Sequence, residues 1–414
     1  MTVDKNVPEI RFKGFNGEWE ERSLGGIGTL KNGMNFDKSA MGHGYPFVNL
    51  QDVFGKNEVS CKNLGLAFST ENQRKDYNLD EGDVLFIRSS VKPEGVGEAA
   101  VVSRSMINTT FSGFIIRFRP SIEMDVSFNR FAYSTTKCRK QILASSTSSA
   151  NSNINQESLQ RIRLSLPSRP EQTKIGNTFQ KLDGLINQHQ QKHDKLSNIK
   201  KAMLEKMFPK QGETVPEIRF KGFSGEWEEV TLGGYARFTK GQGYSKSDLS
   251  ESGTPIILYG RLYTNYQTVI SQVDTFAIEK SKSLKSVGNE VIVPASGESP
   301  EDIARASAVC ESGVILGGDL NIIYPNDKIN PVFLALVISN GYPQKELASK
   351  AQGKSVVHIR NSDLDALLFA MPKKEEQTAI GNYFQKLDTL INQHQQQITK
   401  LTNIKQACLS KMFV

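Results

Sequence analysis

Residues 7–28 read VPEIRFKGFNGEWEERSLGGIG, and residues 215–236 read VPEIRFKGFSGEWEEVTLGGYA. The two strings match at 17 of 22 positions, with an offset of 208 residues. A match of this length within one chain indicates an internal duplication, which has to be recognised before a fold is assigned. We call each of the two strings a leading motif.

A second repeat lies at the end of each half of the chain. Residues 171–208 and 376–413 match at 28 of 38 positions, with an offset of 205. Apolar residues recur in both segments at alternating steps of four and three, with histidines at some of the remaining positions of the pattern. The mean step of 3.5 residues is the period of a left-handed coiled coil. The predicted seam residues are Ile175, Phe179, Leu182, Ile186 and Leu196 in the first copy, and Ile380, Phe384, Leu387, Ile391, Ile398 and Leu401 in the second.

Between these repeats lie two bodies that differ in sequence but keep the same landmarks in the same order. EGDVLFIRSS (81–90) corresponds to VGNEVIVPAS (287–296), and NINQESLQRIRLSLP (153–167) corresponds to HIRNSDLDALLFAMP (358–372). Short runs rich in β-formers alternate with helical stretches, such as 127–143 and 331–340, and with glycine-rich turns. This mixture predicts an α+β fold that occurs twice.

The sequence therefore predicts an α+β protein with a pseudo-two-fold internal repeat. Two similar globular domains are expected to be joined by two long helices, each about 57 Å long, that pair as an antiparallel coiled-coil spacer. The predicted segments are a first domain at 1–166, a central helix at 167–214, a second domain at 215–371 and a C-terminal helix at 372–414.

Composition excludes several classes of protein. The 414 residues are 38% hydrophobic and 23% charged, as in soluble globular proteins, and no apolar run approaches the ~20 residues of a membrane-spanning helix. The N-terminus lacks the apolar stretch of a signal peptide, and the four cysteines form no CxxC pair. These features predict a reduced, cytoplasmic protein without a membrane partner.

The formal net charge of +7 is unevenly distributed. Segments 167–214 and 372–414 carry +4 and +3, whereas 1–166 and 215–371 carry +3 and −3 and cancel each other. The basic excess therefore belongs to the helical segments, and the bodies are not expected to bind nucleic acid through bulk positive charge.

The chain offers no catalytic constellation. The nearest match to the Asn/Asp-Pro-Pro-aromatic tetrad of DNA methyltransferases is Asn330-Pro331-Val332-Phe333, which lacks the second proline and is typical of a turn that begins a helix. No GxxxxGK[ST] nucleotide-binding loop and no HExxH metal motif occurs. We therefore expect no catalytic residue, no metal site and no cofactor on this chain.

Polar loops in both bodies carry the residue types that contact base edges and phosphates. Arginine and lysine suit guanine, asparagine and glutamine suit adenine, glutamate can accept from cytosine, and hydroxyl groups reach bases or phosphates. Each of these residues taken alone is more often a solvated loop residue, but their clustering at corresponding landmarks favours a DNA-binding role. The candidate DNA-binding residues are Lys31, Asn32, Lys38, Arg88, Ser89, Ser90, Lys92, Ser148 and Asn151 in the first body, and Lys240, Gln242, Tyr244, Lys246, Arg261, Tyr263, Ser296, Glu298, Ser299 and Lys354 in the second.

This layout closely resembles the specificity (S) subunit of bacterial type I restriction-modification systems. The resemblance covers essentially the whole chain and is carried by the leading motifs, the paired helices, and the LP…EQ exits at Leu166-Pro167…Glu171-Gln172 and, with methionine for leucine, Met371-Pro372…Glu376-Gln377. It implies that 23–166 and 230–371 are target recognition domains, each reading one half of a split site in double-stranded DNA.

The resemblance also implies the partners. The helices would set the spacing of the half-sites and dock two modification subunits, which hold the methyl-transfer chemistry and its S-adenosylmethionine. Whether nuclease-bearing restriction subunits join the complex is left open. Two other classes of function are weighed against this one: a stand-alone DNA methyltransferase or nuclease, and a symmetric scaffold whose bodies bind proteins.

Overall fold

The computed structural model describes residues 6–148, 151–353 and 356–414 and divides the chain into two compact units. Unit 1 contains Met1–His189 together with Gln396–Val414, and unit 2 contains Gln190–Gln395. Each unit therefore combines one body with the first part of one long helix and the last part of the other.

The first half of the chain contains twelve strands and six α-helices within the described residues. The strands are β1 (Glu20–Ser23), β2 (Gly28–Asn32), β3 (Met41–Val48), β4 (Gly65–Ala67), β5 (Val84–Ile87), β6 (Ser89–Ser90), β7 (Ala99–Val101), β8 (Thr110–Phe111), β9 (Ile115–Pro120), β10 (Thr147–Ser148), β11 (Ser152–Asn153) and β12 (Arg163–Leu166). The helices are α1 (Leu24–Ile27), α2 (Glu71–Asp76), α3 (Val126–Ala132), α4 (Thr136–Ala144), α5 (Gln156–Arg161) and α6 (Arg169–Lys206).

The second half repeats this plan with some added strands. The strands are β13 (Glu228–Thr231), β14 (Ala236–Lys240), β15 (Leu249–Ser250), β16 (Thr254–Ile257), β17 (Val269–Ile270), β18 (Phe276–Ala277), β19 (Lys285–Val287), β20 (Glu290–Pro294), β21 (Ser296–Gly297), β22 (Ser307–Val309), β23 (Ser312–Leu316), β24 (Leu320–Pro325), β25 (Val357–His358) and β26 (Leu368–Met371). The helices are α7 (Arg261–Thr264), α8 (Pro300–Ile303), α9 (Pro331–Ile338), α10 (Gly341–Lys350), α11 (Asn361–Asp365) and α12 (Lys374–Lys411).

The predicted α+β architecture, with two similar domains and two long helices, is confirmed. The main sheet has the order β2-β9-β5-β7 in unit 1 and β14-β24-β20-β22-β17 in unit 2. A two-stranded antiparallel ribbon, β1-β12 or β13-β26, joins the leading motif to the exit of each body. The helical stretch predicted at 127–143 is wrong in detail: it is two helices, because the Thr135 side chain caps a new helix at Thr136.

The central strand of each main sheet is buried on both faces, which explains its continuous apolar sequence. Successive side chains of a strand point to opposite faces. In β5, Val84 and Phe86 therefore enter the core that contains the long helix, while Leu85 and Ile87 enter a second, smaller core. In β20, Val291 and Val293 enter the helix-side core and Ile292 enters the other. Two cores on one sheet are what a run such as VLFI requires.

Four aromatic rings, each from a separate segment of the chain, close each helix-side core. In unit 1 the Phe413 ring lies 5.4 Å from Phe128, 5.8 Å from Phe179 and 6.2 Å from Trp19. The same arrangement recurs in unit 2, where the Phe208 ring lies 5.9 Å from Phe333, 6.2 Å from Phe384 and 6.3 Å from Trp227. We call each group of four rings an aromatic box.

Within each unit the two helical segments run antiparallel. Phe179 packs near Phe413 in unit 1. Asp183, one turn later in α6, pairs at 2.6 Å with Lys405 of α12, which lies before Phe413 in the sequence. In unit 2, Lys200 of α6 pairs with Asp388 of α12, and Phe208 packs near Phe384, so the two helical segments again run in opposite directions. Of the predicted seam residues, Ile175, Phe179, Ile380, Phe384 and Leu387 are buried in the domain cores, whereas Leu182, Ile186, Leu196, Ile391, Ile398 and Leu401 are half-buried.

A buried ion pair fixes the leading motif to the start of each helix. The Arg11 guanidinium donates to both carboxylate oxygens of Glu171 at 2.7 and 2.8 Å, and the Glu171 side chain is 1% exposed. Arg219 and Glu376 make the same pair at 2.6 Å. This bidentate contact explains why the arginine of the motif and the glutamate of the EQ exit occur in both copies.

Two equivalent helix glycines have different surroundings, which gives a matched test of the packing. A Cβ atom at Gly176 would lie 2.5 Å from the backbone nitrogen of Phe128, whereas at Gly381 the nearest atom is the Val332 Cβ at 3.4 Å. We predict that Gly176→Ala lowers the free energy of unfolding of unit 1 by about 1–3 kcal/mol through overpacking. Gly381→Ala is predicted to stabilise unit 2 by up to about 1 kcal/mol through helix propensity.

The two tryptophans allow each unit to be followed separately, because Trp19 lies in unit 1 and Trp227 in unit 2. Denaturant unfolding followed by tryptophan fluorescence in Trp227→Phe and Trp19→Phe backgrounds measures the two effects. Equal effects of the two glycine substitutions would contradict the packing described for α6.

Candidate nucleic-acid interface

The polar loops of the first body meet at one edge of its main sheet. Strand β2 ends opposite the start of β9, with Asn32 paired to Ile116, and β5 ends there too, with Ile87 paired to Ile115. Lys31 and Asn32 therefore reach the same edge as the segment Arg88–Ser90 that follows β5. The Arg88 amide donates to the Phe114 carbonyl at 2.8 Å, which adds the turn before β9.

The serine-rich segment that precedes the exit folds onto this edge as a hairpin. Strand β11 pairs with β6, with Ser152 opposite Ser90 and Asn153 opposite Ser89, and β10 pairs with β11. The Ile154 amide donates to the Arg88 carbonyl at 2.9 Å. We call the surface formed by residues 31–33, 88–91, 112–114, 147–148 and 151–153 the loop edge of unit 1.

Unit 2 builds its loop edge from the corresponding segments. Lys240 ends β14 opposite Asn321, and Ser296 in β21 pairs with His358 in β25. The Ile359 amide donates to the Ala295 carbonyl at 3.2 Å, as the Ile154 amide does to Arg88. We call residues 240–242, 295–298, 317–319, 352–353 and 356–358 the loop edge of unit 2. The candidate Lys354 lies outside the described residues.

A glycine at the same place in each unit lets the strand end touch the opposite turn. A Cβ atom at Gly33 would overlap the backbone oxygen of Ser112, and one at Gly241 would overlap that of Gly317. Any other residue would push the loops apart, so both glycines belong to the frame that holds the loop edge.

A cavity of about 840 Å³ lies beside the loop edge of unit 2. Its lining includes three candidate residues, Tyr244, Lys246 and Arg261, together with Tyr259 and Asp319, which the sequence did not single out. The backbone of Asp319 has a φ of +58°, which is uncommon for a residue other than glycine and places this carboxylate in the turn before β24.

Two of these three candidates have partners that hold the cavity in shape. The Arg261 Nη1 atom lies 2.6 Å from the Asp274 carboxylate, and its Nη2 donates to the Gln272 carbonyl at 3.1 Å. The hydrogen bond from Arg261 lowers the pKa of the Asp274 carboxyl group. The Tyr244 hydroxyl accepts a hydrogen bond from the Lys280 backbone amide at 2.7 Å. The Lys280 ammonium lies over the Tyr244 ring, 4.5 Å from its centre. Lys246 is exposed, so it is the cationic candidate of the cavity that faces solvent.

Several other candidates also hold the protein together. The Lys31 Nζ atom lies 3.1 Å from Asp76 and 4.4 Å from the centre of the Tyr77 ring. The Tyr263 hydroxyl donates to the Ser296 carbonyl at 2.8 Å, and burial raises the pKa of this tyrosine, so it stays a donor. The Ser299 hydroxyl caps α8 by accepting from the Asp302 amide. These side chains position the loops rather than project from them.

A second set of candidates projects into solvent. These side chains are exposed and make no hydrogen bond or ion pair with the described part of the chain: Lys38, Lys92, Lys240, Gln242, Lys246 and Glu298. Arg88 is exposed with one long hydrogen bond, of 3.4 Å, to the Gly113 carbonyl. Asn32, Ser89 and Ser90 are half-buried at the loop edge, Ser296 is buried, and Asn151 is exposed. Ser148 belongs to β10.

The sequence reading missed two apolar residues at the loop edge of unit 1. Phe114 is 57% exposed and Val91 is 81% exposed. Phe114 precedes β9 at the position where Asp319 precedes β24, so the corresponding turns present an aromatic ring in one unit and a carboxylate in the other. Phe114 could have been predicted from the sequence, because it directly follows Ser112-Gly113. A turn between two strands leaves an aromatic ring at such a position exposed to solvent.

No group of three or more His, Cys, Asp or Glu side chains among the described residues could hold a metal ion, and no helix in this part of the chain is long and apolar enough to cross a bilayer. The four cysteines are free, and burial raises the pKa of the Cys138 thiol to about 12.

Comparison with known proteins identifies the family. The family model for the type I restriction modification DNA specificity domain matches residues 16–198 and again residues 224–403. The chain belongs to this family. As a type I specificity subunit it supplies DNA sequence specificity, and its two matched domains correspond to the two copies of the repeat.

Relatives match over nearly the whole chain. The candidate MjaX type I restriction enzyme specificity subunit of Methanocaldococcus jannaschii is 22% identical in an alignment of 403 positions that covers 94% of this chain and 91% of the relative. The MjaVIII specificity subunit of the same organism is 20% identical over 92% and 90% of the two chains. The crystal structure of a type I S subunit from M. genitalium shares the fold, with a TM-score of 0.59 and 16% identity over 99% of both chains.

Candidates whose side chains hold the loops and candidates whose side chains project into solvent are expected to respond differently to substitution. Arg261→Ala is expected to lower the free energy of unfolding of unit 2 by about 0.5–1.5 kcal/mol, because the Arg261 side chain, which is 11% exposed, loses its hydrogen bonds to Asp274, Gln267 and Gln272. Lys246→Ala is expected to change stability by less than about 0.5 kcal/mol and to weaken DNA binding. Thermal unfolding and a salt titration of DNA binding by the full chain measure both. A loss of stability in Lys246→Ala equal to that in Arg261→Ala would contradict this division.

Proposed function

We propose that each unit reads one half of a bipartite site in double-stranded DNA through its loop edge. The observation that supports this proposal most directly is that the two loop edges occupy the same place in a repeated fold but present different side chains. A shared frame with different contact groups is what two readers of different short sequences require.

The chemistry of the two loop edges, and of the residues next to them, supports different targets. Unit 1 offers exposed Arg88 and Lys92 with the ring of Phe114, a set that suits guanine acceptors and the thymine methyl group. Unit 2 offers Lys246 beside carboxylates that include Asp248 and Asp319. A hydrogen bond from Lys280 lowers the pKa of Asp248 and already occupies this carboxylate, so the exposed Asp319 is the acceptor that suits the exposed amino groups of cytosine and adenine.

The proposed complex supplies the chemistry that this chain is not expected to perform. We propose that the chain is a non-catalytic subunit that docks two modification subunits, which bind S-adenosylmethionine and transfer the methyl group. Restriction subunits, which cut and translocate DNA, are a further proposed partner, and the complex is proposed to act in the cytoplasm. The sequence motifs support this assignment, since no catalytic tetrad and no nucleotide-binding loop occurs.

A salt-dependent DNA mobility shift separates this proposal from its two rivals. The chain alone is expected to bind DNA weakly, and to become sequence-specific when it assembles with the modification subunit. Binding of S-adenosylmethionine or a divalent metal by the isolated chain would favour a stand-alone enzyme. An absence of DNA affinity in both conditions would favour a protein-binding scaffold.

Exchanging one body tests the assignment of one half-site to each unit. Replacing residues 237–366 by the corresponding segment of another specificity subunit is predicted to change one half of the methylated sequence and to leave the other half and the gap unchanged. Methylation assays on DNA libraries measure the outcome. A change in both halves would contradict two independent readers.

Lengthening both long helices tests whether they set the gap between half-sites. Four residues add about 6 Å of helix, which corresponds to one or two base pairs of DNA. Insertions of four alanines after His189 and after Gln395, where the two units divide, are predicted to lengthen the preferred gap by that amount. Methylation of DNAs with gaps of different length reports the optimum, and insertion into one helix alone is the control. An unchanged optimum would contradict the proposed spacer role.

A further inference from the structure

The leading motifs carry a surface that neither DNA reading nor spacing explains. Residues 7–20 and 215–228 have the same pattern of exposure at every position. Nine positions are exposed in both copies, and eight of these nine carry the same residue, with Asn16 and Ser224 as the exception. The duplication has thus kept a solvent-facing surface twice, although the bodies beside it have diverged.

Contacts within the chain explain only part of this identity. Arg11 and Trp19 are held in the core, and Gly14 and Gly17 have positive φ angles, as their counterparts do. Glu9 pairs with Lys411 at 3.1 Å, and Glu217 pairs with Lys206 at 2.6 Å. For these residues the fold itself is a sufficient reason.

Glu20 pairs with Arg22 at 2.6 Å, and it is set aside with its counterpart Glu228. The other four exposed residues that the two motifs share have no such reason. Val7 is 37% exposed and Ile10 47%, while Val215 is 48% and Ile218 37% exposed. The other residues left unexplained are Lys13 and Glu18, with their counterparts Lys221 and Glu226, which are exposed and make no ion pair with the described residues. We call Val7, Ile10, Lys13 and Glu18, with Val215, Ile218, Lys221 and Glu226, the repeat patches.

The two long helices differ in sequence at positions that contact the leading motifs. Lys174 lies 5.0 Å from the Phe12 ring in unit 1, but the equivalent residue in unit 2 is Ala379. Tyr383 contacts Phe220 in unit 2, but its counterpart in unit 1 is Thr178. Sequence drift has therefore reached residues that touch the motifs, while the repeat patches are unchanged.

The composition of the patches identifies the class of occupant. Each patch has two exposed apolar side chains, one lysine and one glutamate, so its formal charge is zero, and the neighbouring Glu9 and Glu217 are paired with Lys411 and Lys206. A DNA backbone is bound through an excess of positive charge, which these patches do not have. Exposed valine and isoleucine beside one cation and one anion are instead typical of a protein interface whose partner brings apolar and charged side chains.

We propose that the repeat patches are two equivalent docking sites for two copies of one protein, one on each leading motif. Identical surfaces in both units fit identical partners. This inference rests on the proposed function, within which the partner is the modification subunit. It assigns the docking contact to the leading motifs, in addition to any contribution from the long helices.

Counting bound subunits tests the proposal. Native mass spectrometry of the full chain with purified modification subunit is expected to show two copies on the wild type, one on Ile10→Glu or Ile218→Glu, and none on the double variant, with affinity at least about tenfold weaker at each altered patch. Ile107→Glu, at a side chain that is 86% exposed outside the patches, is the matched control and is expected to keep two copies.

Charge reversal provides a second test that leaves the core untouched. Glu18→Lys and Glu226→Lys change exposed side chains without partners among the described residues, and each is expected to weaken binding of one copy without a change in melting temperature. Two copies bound at unchanged affinity in both variant series would overturn the inference. Loss of DNA affinity with two copies still bound would overturn it in favour of a DNA-contacting surface.

The experiment separates this inference from the proposed function on which it rests. A wild-type chain that binds no modification subunit would contradict the proposed function itself. A wild-type chain that binds two copies, together with variants that also bind two, would leave the proposed function standing and remove only the repeat patches as its docking sites.

Discussion

The structure of each unit depends on an aromatic box to which four separate segments of the chain contribute. Phe413, at the end of the chain, packs among Trp19, Phe128 and Phe179, and Phe208 takes the same position in unit 2. Neither body can complete its core alone, because one ring comes from the end of the long helix that belongs to the other repeat. Burial of such large rings is among the strongest single contributions to a core, so this contact links folding of each unit to the other half of the sequence.

This arrangement explains how the two halves can differ so much in sequence and still share a fold. The frame consists of the aromatic box, the Arg11–Glu171 pair or its counterpart, and a central strand with both faces buried. Of these elements only the central strand reaches the loop edge, and it ends there, beside the end of β2 and the start of β9 in unit 1, so the loop-edge side chains lie outside the buried frame. Substitutions at the loop edge therefore change surface chemistry without a cost to the core, and Phe114 and Asp319 are an example of such a change.

Much of the fold could be predicted from the sequence, because duplication and periodicity are strong signals. The 3.5-residue period predicted both long helices, which begin two residues inside the predicted segments, although α6 ends eight residues before the predicted boundary at 214. The VLFI run predicted a buried strand. The roles of individual polar residues could not be predicted. Lys31 and Lys38 look equivalent in a sequence, but Asp76 and Tyr77 hold only Lys31, and those contacts come from residues about 45 positions away. Phe114 was overlooked because an apolar residue in a short turn has no periodicity.

The central claim is that two similar frames carry two independent readers of DNA. The most direct test is to map methylated bases across the genome of cells that do and do not express this chain together with its modification subunit. The account predicts a single methylated motif that depends on the chain and consists of two short specified half-sites separated by a gap of fixed length and unspecified sequence. A methylated motif without a gap, or a methylation pattern that is the same without the chain, would contradict it.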